Sequence, residues 1–227
     1  MGWRLPKYAS MSILRRYHPK LSAGAVLAQE PSEPVTLAEA KAHLRYTNTD
    51  KDTVIGMLIS VARGKVEHMT QRSILRKSLT LRHYDWNECD PDGAYTLPLV
   101  LPTGPVESIT LVQYRRSSDG AYTTLASNQY ELVVENSGRS TLLPAFNVTL
   151  PTLYRSTSGG PWDAVKVDYI AGAAAASPTD VDDRLRLAIL MLVAFYFERP
   201  ENTNWDVPDD VASSVRGLTH ELDLTPY

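Results

Sequence analysis

Eleven consecutive residues, LAILMLVAFYF from Leu187 to Phe197, carry no polar side chain except the Tyr196 hydroxyl. Whatever this chain folds into must cover that run on every side. A bilayer does not fit, because a spanning helix needs about 20 apolar residues. Here Asp182, Asp183, Arg184 and Arg186 bound the run on one side and Glu198, Arg199 and Pro200 on the other. The pattern predicts a helix from about residue 181, capped by Thr179 or Asp180. It should stop near Arg199, since a proline disfavours helical geometry in the residue before it. Leu185, Ile189, Leu192 and Tyr196 then share one face, while Leu187, Leu190, Ala194 and Phe197 occupy others. A helix apolar all round is either the centre of a domain core or is covered in part by neighbouring subunits. Each large side chain puts about 1.5–3 kcal/mol of burial at stake. Leu185, Leu187, Ile189, Leu190, Leu192, Phe195 and Phe197 are accordingly expected at a subunit core or interface, and spacing alone leaves both readings open.

Two further helices are predicted upstream. PVTLAEAKAHL holds a T-x-x-E capping box, Thr36 with Glu39, ahead of Leu37, Ala40 and Leu44 on one face, which gives a helix over about 37–45. A second, over about 52–72, has Asp50 or Asp52 as its cap and Val54, Leu58, Val61, Ala62, Val66 and Met69 at helical period. From Ser78 to Gly172 the period becomes two. LTLRHYDW, YTLPLVL, VESITLVQYRR, YTTLA, QYELVVE, STLLP and AVKVDYIAG are punctuated by DPDG, PTGP, SSDG and NSGR, the signature of an antiparallel sheet or small sandwich of about six strands. Pro98, Pro102 and Pro105 confine their segment to an edge or a strand end. A last short helix is predicted in PDDVASSVRGL, with Val211, Val215 and Leu218 on one face.

The expected fold is therefore α+β: a small helical bundle, of two N-terminal and one or two C-terminal helices, with an inserted antiparallel β-sheet or sandwich module. The chain divides into a basic arm (1–33), N-terminal helices of the bundle (34–76), the β module (77–176), a core helix completing the bundle (177–206) and a C-terminal segment (207–227).

The residues offer little chemistry. No phosphate-binding glycine loop and no G-x-S-x-G elbow is present. ECDPDG, Glu88 to Gly93, resembles half a calcium loop, but the twelfth position is Leu99 instead of a bidentate glutamate, so it reads as a turn. The histidines at 18, 43, 68, 83 and 220 are scattered and Cys89 is the single cysteine, which makes zinc and disulfides improbable. Catalytic, metal and cofactor sites are all expected to be absent. The net charge of −3 is unevenly spread. In residues 1–30, Arg4, Lys7, Arg15, Arg16 and Lys20 against Glu30 make +4, whereas residues 180–227 hold ten carboxylates against four arginines, making −6. The paired arginines before LSAGAVLA invite a secretion reading, but that apolar stretch is short and broken by Ser22 and Gly24, so an extended arm is expected. Residues 31–179 show no basic stripe interleaved with aromatics, which argues against tight DNA binding.

In order along the chain, PVTLAEAKAHLR, DTVIGMLISVARGKVEHMTQRSI, LPTGPVESITLVQY, DGAYTTLASNQYELV, VKVDYIAG and DRLRLAILMLVAFYFERPE resemble the head-tail connector (adaptor) proteins of tailed bacteriophages, in the longer branch with strands inserted between helices. The resemblance runs from about Pro34 to Pro208. It implies a structural virion protein of the neck, assembled in the host cytoplasm. Such proteins form a homo-oligomeric ring, usually of twelve copies, that attaches below the portal protein. The ring extends the channel through which double-stranded DNA passes without sequence-specific binding, and it is a platform for the stopper or tail-completion protein. It implies no enzyme activity, no cofactor and no membrane. By the same resemblance the C-terminal segment is a portal-docking tail, with Val207, Val211, Val215, Leu218, Leu222 and Tyr227 as its apolar contacts. The alternative reading is a non-catalytic carbohydrate- or peptide-binding β module of a phage tail or host-recognition component, using aromatics such as Tyr84, Trp86, Tyr95 or Trp162.

Overall fold

A computed structural model describes residues 20–26, 33–89, 96–154, 163–172, 181–199 and 207–222. The first helix, α1 (Leu37–Leu44), forms behind the expected box: Thr36 Oγ1 accepts the Glu39 N–H at 3.2 Å and Glu39 Oε2 accepts the Thr36 N–H at 2.8 Å. The second, α2 (Asp52–Thr70), starts without the carboxylate cap expected for it. Lys51 stands at the cap position, while Asp50 accepts from the Tyr46 hydroxyl at 2.5 Å and Asp52 from Lys41 Nζ at 2.6 Å. Its inward face also differs from the expected one. Ile55, Leu58, Ile59, Ala62 and Val66 are buried, whereas Val54 and Val61 face outward. Apolar residues occupy more than one side of α2, and the side bearing both isoleucines turns in.

Among the described residues there are nine strands where about six were expected: β1 (Lys20–Val26), ahead of the helices, and after them β2 (Lys77–His83), β3 (Asn87–Cys89), β4 (Thr96–Leu101), β5 (Val106–Arg115), β6 (Tyr122–Thr124), β7 (Tyr130–Val134), β8 (Ser140–Pro144) and β9 (Val165–Ala171). All strand pairings are antiparallel. They make a five-stranded sheet, β1-β2-β9-β5-β6, and a four-stranded one, β3-β4-β8-β7. Every run named from the sequence is a strand. The additions are three-residue β3 and, within the presumed arm, β1, which pairs with β2 from Lys20↔Arg82 onward. Pro98 does not mark an edge strand, because β4 lies between β3 and β8. Residues 96–98 pair only with β3 and residues 99–101 only with β8, so locally each half of β4 is an edge.

The third helix, α3 (Asp183–Glu198), is capped by Asp182, whose carboxylate accepts the Arg184 N–H at 2.9 Å. The caps expected from sequence, Thr179 and Asp180, lie outside the described residues. The fourth, α4 (Asp209–Thr219), buries Ala212, Val215 and Thr219 in place of the expected line through Val211, Val215 and Leu218. Two hydrophobic clusters result. The helical one joins Val35, α1, α2, Ile74, α3 and α4; the other lies within the β module around Leu81, Leu99, Val112, Val165, Val167 and Tyr169.

The two clusters meet at the α2–β2 junction. Glu67 Oε1 accepts the backbone N–H of Ile74 at 2.7 Å and of Leu75 at 3.3 Å, and its Oε2 receives Arg63 and Lys77, both at 3.1 Å. Arg72 reaches the other way: its Nε donates to the Leu222 carbonyl at 2.5 Å and its guanidinium also donates to the Ser137 carbonyl.

Candidate functional site

The helix carrying the apolar run, α3, has two unlike sides. Leu185, Ala188, Ile189, Leu192, Val193, Phe195 and Tyr196 are buried, and Leu192 and Ile189 are completely so. Leu190 and Phe197 are half-buried against the same cluster, Phe197 meeting Tyr46 edge-on at 5.5 Å between ring centroids. Leu187 is 42% exposed. At 3.6 residues per turn, Leu187, Leu190, Met191 and Ala194 make up the outward face, with charge only at its ends in Asp183 and Glu198.

The two arginines of the helix are drawn off that face by partners on either flank. Arg186 pairs with Glu39 of the α1 capping box, with Asp183 at 2.9 Å and with the Pro34 carbonyl at 3.2 Å. Arg184 pairs with Asp182 at 3.0 Å and with Glu221 at 2.6 Å. The Thr36 backbone N–H, with help from Arg186, holds the Glu39 carboxyl below its ordinary range. Arg184 does the same to Asp182. The outward side of α3 is thus an uncharged apolar strip framed by satisfied ion pairs, suited to packing against another surface.

Of the residues assigned to a docking tail, Val215 is fully buried, and Val207, Val211 and Leu222 pack against the helical cluster. Leu218 is half-buried, lining a shallow cleft with Arg184, Arg216 and Glu221. Tyr227 lies outside the described residues. Among the aromatics named for a ligand site, Trp86 is only 8% exposed, donates its Nε1–H to the Pro151 carbonyl at 2.8 Å and tilts against Tyr114. Tyr84 is half-buried beside His83, and Tyr95 and Trp162 lie outside the described residues, as does most of the calcium-like stretch at 90–93. Among the described residues no cluster of His, Cys, Asp or Glu is placed to hold a metal ion, and no helix is long and apolar enough to cross a membrane.

Sequence reasoning missed one surface. Val54, Met57 and Val61 on α2 are 45%, 58% and 41% exposed at spacings i, i+3 and i+7. The signal for it was present, since residues 54–62 hold more apolar side chains than one buried face accommodates.

Residues 34–133 match the model of the family described as Phage gp6-like head-tail connector protein, and the resemblance read from the residues is borne out. No curated protein matches the chain. Its fold is similar to chains in solved structures of gene transfer agent (GTA) particles. One is from the neck of the empty particle computed with C6 symmetry, with TM-score 0.65, 20% identity and coverage of 92% of this chain and 97% of that one. Another is from the virion of the native particle, at 0.63, 21%, 91% and 96%. A third is from the neck of the native particle computed with C12 symmetry, at 0.63, 20%, 92% and 97%.

Proposed function

We propose that this chain is a head-tail connector subunit that assembles, in the host cytoplasm, into a ring of about twelve copies below the portal of a phage-like particle. The ring continues the DNA channel, and the stopper or tail-completion protein seats on it. It works by assembly and carries no reaction. The observation that carries this reading is the near full-length likeness to a chain in a neck computed with C12 symmetry, joined to the family match over the first two helices and the first part of the β module. The exposed Leu187 and the half-covered Leu190, Met191 and Ala194 on α3 support it, because a helix this apolar needs cover that the subunit completes on one side only. The acidic C-terminal region supports it in a second way: a like-charged wall lowers the chance that DNA adheres in transit.

The purified chain mixed with its portal protein is expected to give an annular complex by light scattering and negative-stain imaging. A chain that stays monomeric and unbound in that mixture overturns the reading. Burial of Trp86 in the core weighs against the β module as a carbohydrate or peptide reader.

A further inference from the structure

Helices α2 and α3 pack their buried sides into one cluster: Ile55, Leu58, Ile59, Ala62 and Val66 from the first, Leu185, Ala188, Ile189, Leu192 and Val193 from the second. At 3.6 residues per turn, the exposed stripe of α2, Val54, Met57 and Val61, lies on the reverse of its buried side. The strip of α3, Leu187 to Ala194, is likewise the reverse of its own. Two helices that bury facing sides against each other carry their reverse sides on opposite flanks of the pair. The subunit therefore presents two different apolar flanks, directed away from each other.

The flanks match. Each apolar stretch spans seven residue steps, about 10 Å along its helix. Beside the α2 stripe, Gly56 and Gly64 have no atom within 4 Å of where a Cβ would stand, leaving bare backbone that another helix can approach closely. At their C-terminal ends the bounding charges are opposite: Lys65 follows the α2 stripe and Glu198 follows the α3 strip. A contact between two unlike, complementary surfaces is heterologous, and repeated with a rotation that divides the full circle it closes into a ring; a contact between like surfaces gives only pairs.

We infer that the α2 stripe of one copy packs against the α3 strip of the next, so that the wall of the ring alternates α2 and α3 helices from successive subunits. This rests on the ring reading above. The test is cross-linking in the full chain, with Cys89→Ser as background, assembled on its portal. The double variant Met57→Cys, Leu187→Cys is expected to give, on mild oxidation, a ladder of covalent multimers. A mixture of the two single variants is expected to stop at dimers, and each single variant alone should remain uncross-linked. Rings seen by imaging without a ladder overturn the inference and leave the ring reading standing; absence of rings overturns both. Dimers from either single variant alone indicate a like-to-like contact and also overturn it. Met57→Asp, at a position more than half exposed, is expected to keep the wild-type melting temperature and to lower ring yield by about tenfold or more. Unchanged ring yield from folded Met57→Asp overturns the inference.

Discussion

Glu67 shows how a single side chain fixes the joint between the two halves of the molecule. It is nearly buried, yet its carboxylate answers two backbone N–H groups and two cations drawn from α2, the following turn and β2. Removing one partner from such a group leaves the rest desolvated and unpaired, so Glu67→Ala is expected to lower the unfolding free energy by about 3–5 kcal/mol in urea titrations, and Glu67→Gln by less. His83 acts through protonation. Burial depresses its pKa below the ordinary 6.5, while the Asp85 carbonyl 2.7 Å from Nδ1 opposes that shift only in part. The folded chain then keeps this ring neutral where the unfolded chain protonates it. The unfolded state binds more protons, and stability falls as pH drops through 6.5 toward the lower folded value. The melting temperature should be lower at about pH 5.5 than at about pH 7.5, and the drop should shrink in His83→Gln. The two residues differ in how far sequence reveals them. The Thr36–Glu39 box is readable because both members lie within one turn; Glu67 reads as a stray acid on an apolar face, because its partners are set by the path the chain takes after α2.

For whole elements, α3 is the most legible, and its two sides give opposite expectations. Leu192→Ala removes a fully buried side chain and should cost about 2–5 kcal/mol, whereas Leu187→Ala should leave stability within about 0.5 kcal/mol. Thermal denaturation of the two variants decides it, and equal effects contradict the sidedness described above. Charged brackets and a hydrophobic run made α3 readable without any knowledge of its neighbours. The inward side of α2 was not readable, since Val54 and Ile55 are equally apolar and only packing against α3 chooses between them. Strand β1 was missed for a related reason. Its partner residues in β2 lie 51 to 62 positions downstream, from Val26↔Lys77 to Lys20↔Arg82, and period two over so few residues carries no information about where a strand will dock. Gly172 closes β9 at φ 102°, and a Cβ there would lie 2.5 Å from the Leu75 carbonyl oxygen. Gly172→Ala should therefore destabilise the chain by roughly 1–3 kcal/mol or more, measurable as a lowered melting temperature.

At the scale of the molecule, the described part of the C-terminal segment, residues 207–222, belongs to the fold. Val215, Ala212 and Thr219 are buried and Leu222 packs on the helical cluster, so Val215→Asp should unfold the subunit before any effect on docking can be read. Deleting residues 223–227 is expected to weaken capture by the portal in a pull-down; unaltered capture would move the docking contact elsewhere. The overall order of helices, strands and helices was readable from periodicity, but the exchange of neighbours within the sheets was not, because strand order is decided by contacts distant in sequence. That order has a bearing on biosynthesis. The middle strand of the larger sheet is β9, and the most deeply buried helix of the other cluster is α3, with α4 behind it, so both cores wait for the last third of the chain to leave the ribosome. A polypeptide terminated before Val165 lacks the centre of one core and both later helices of the other. Prematurely ended copies should accordingly be cleared by proteases as unfolded chains, and only full translation products remain to compete for places beside an intact neighbour.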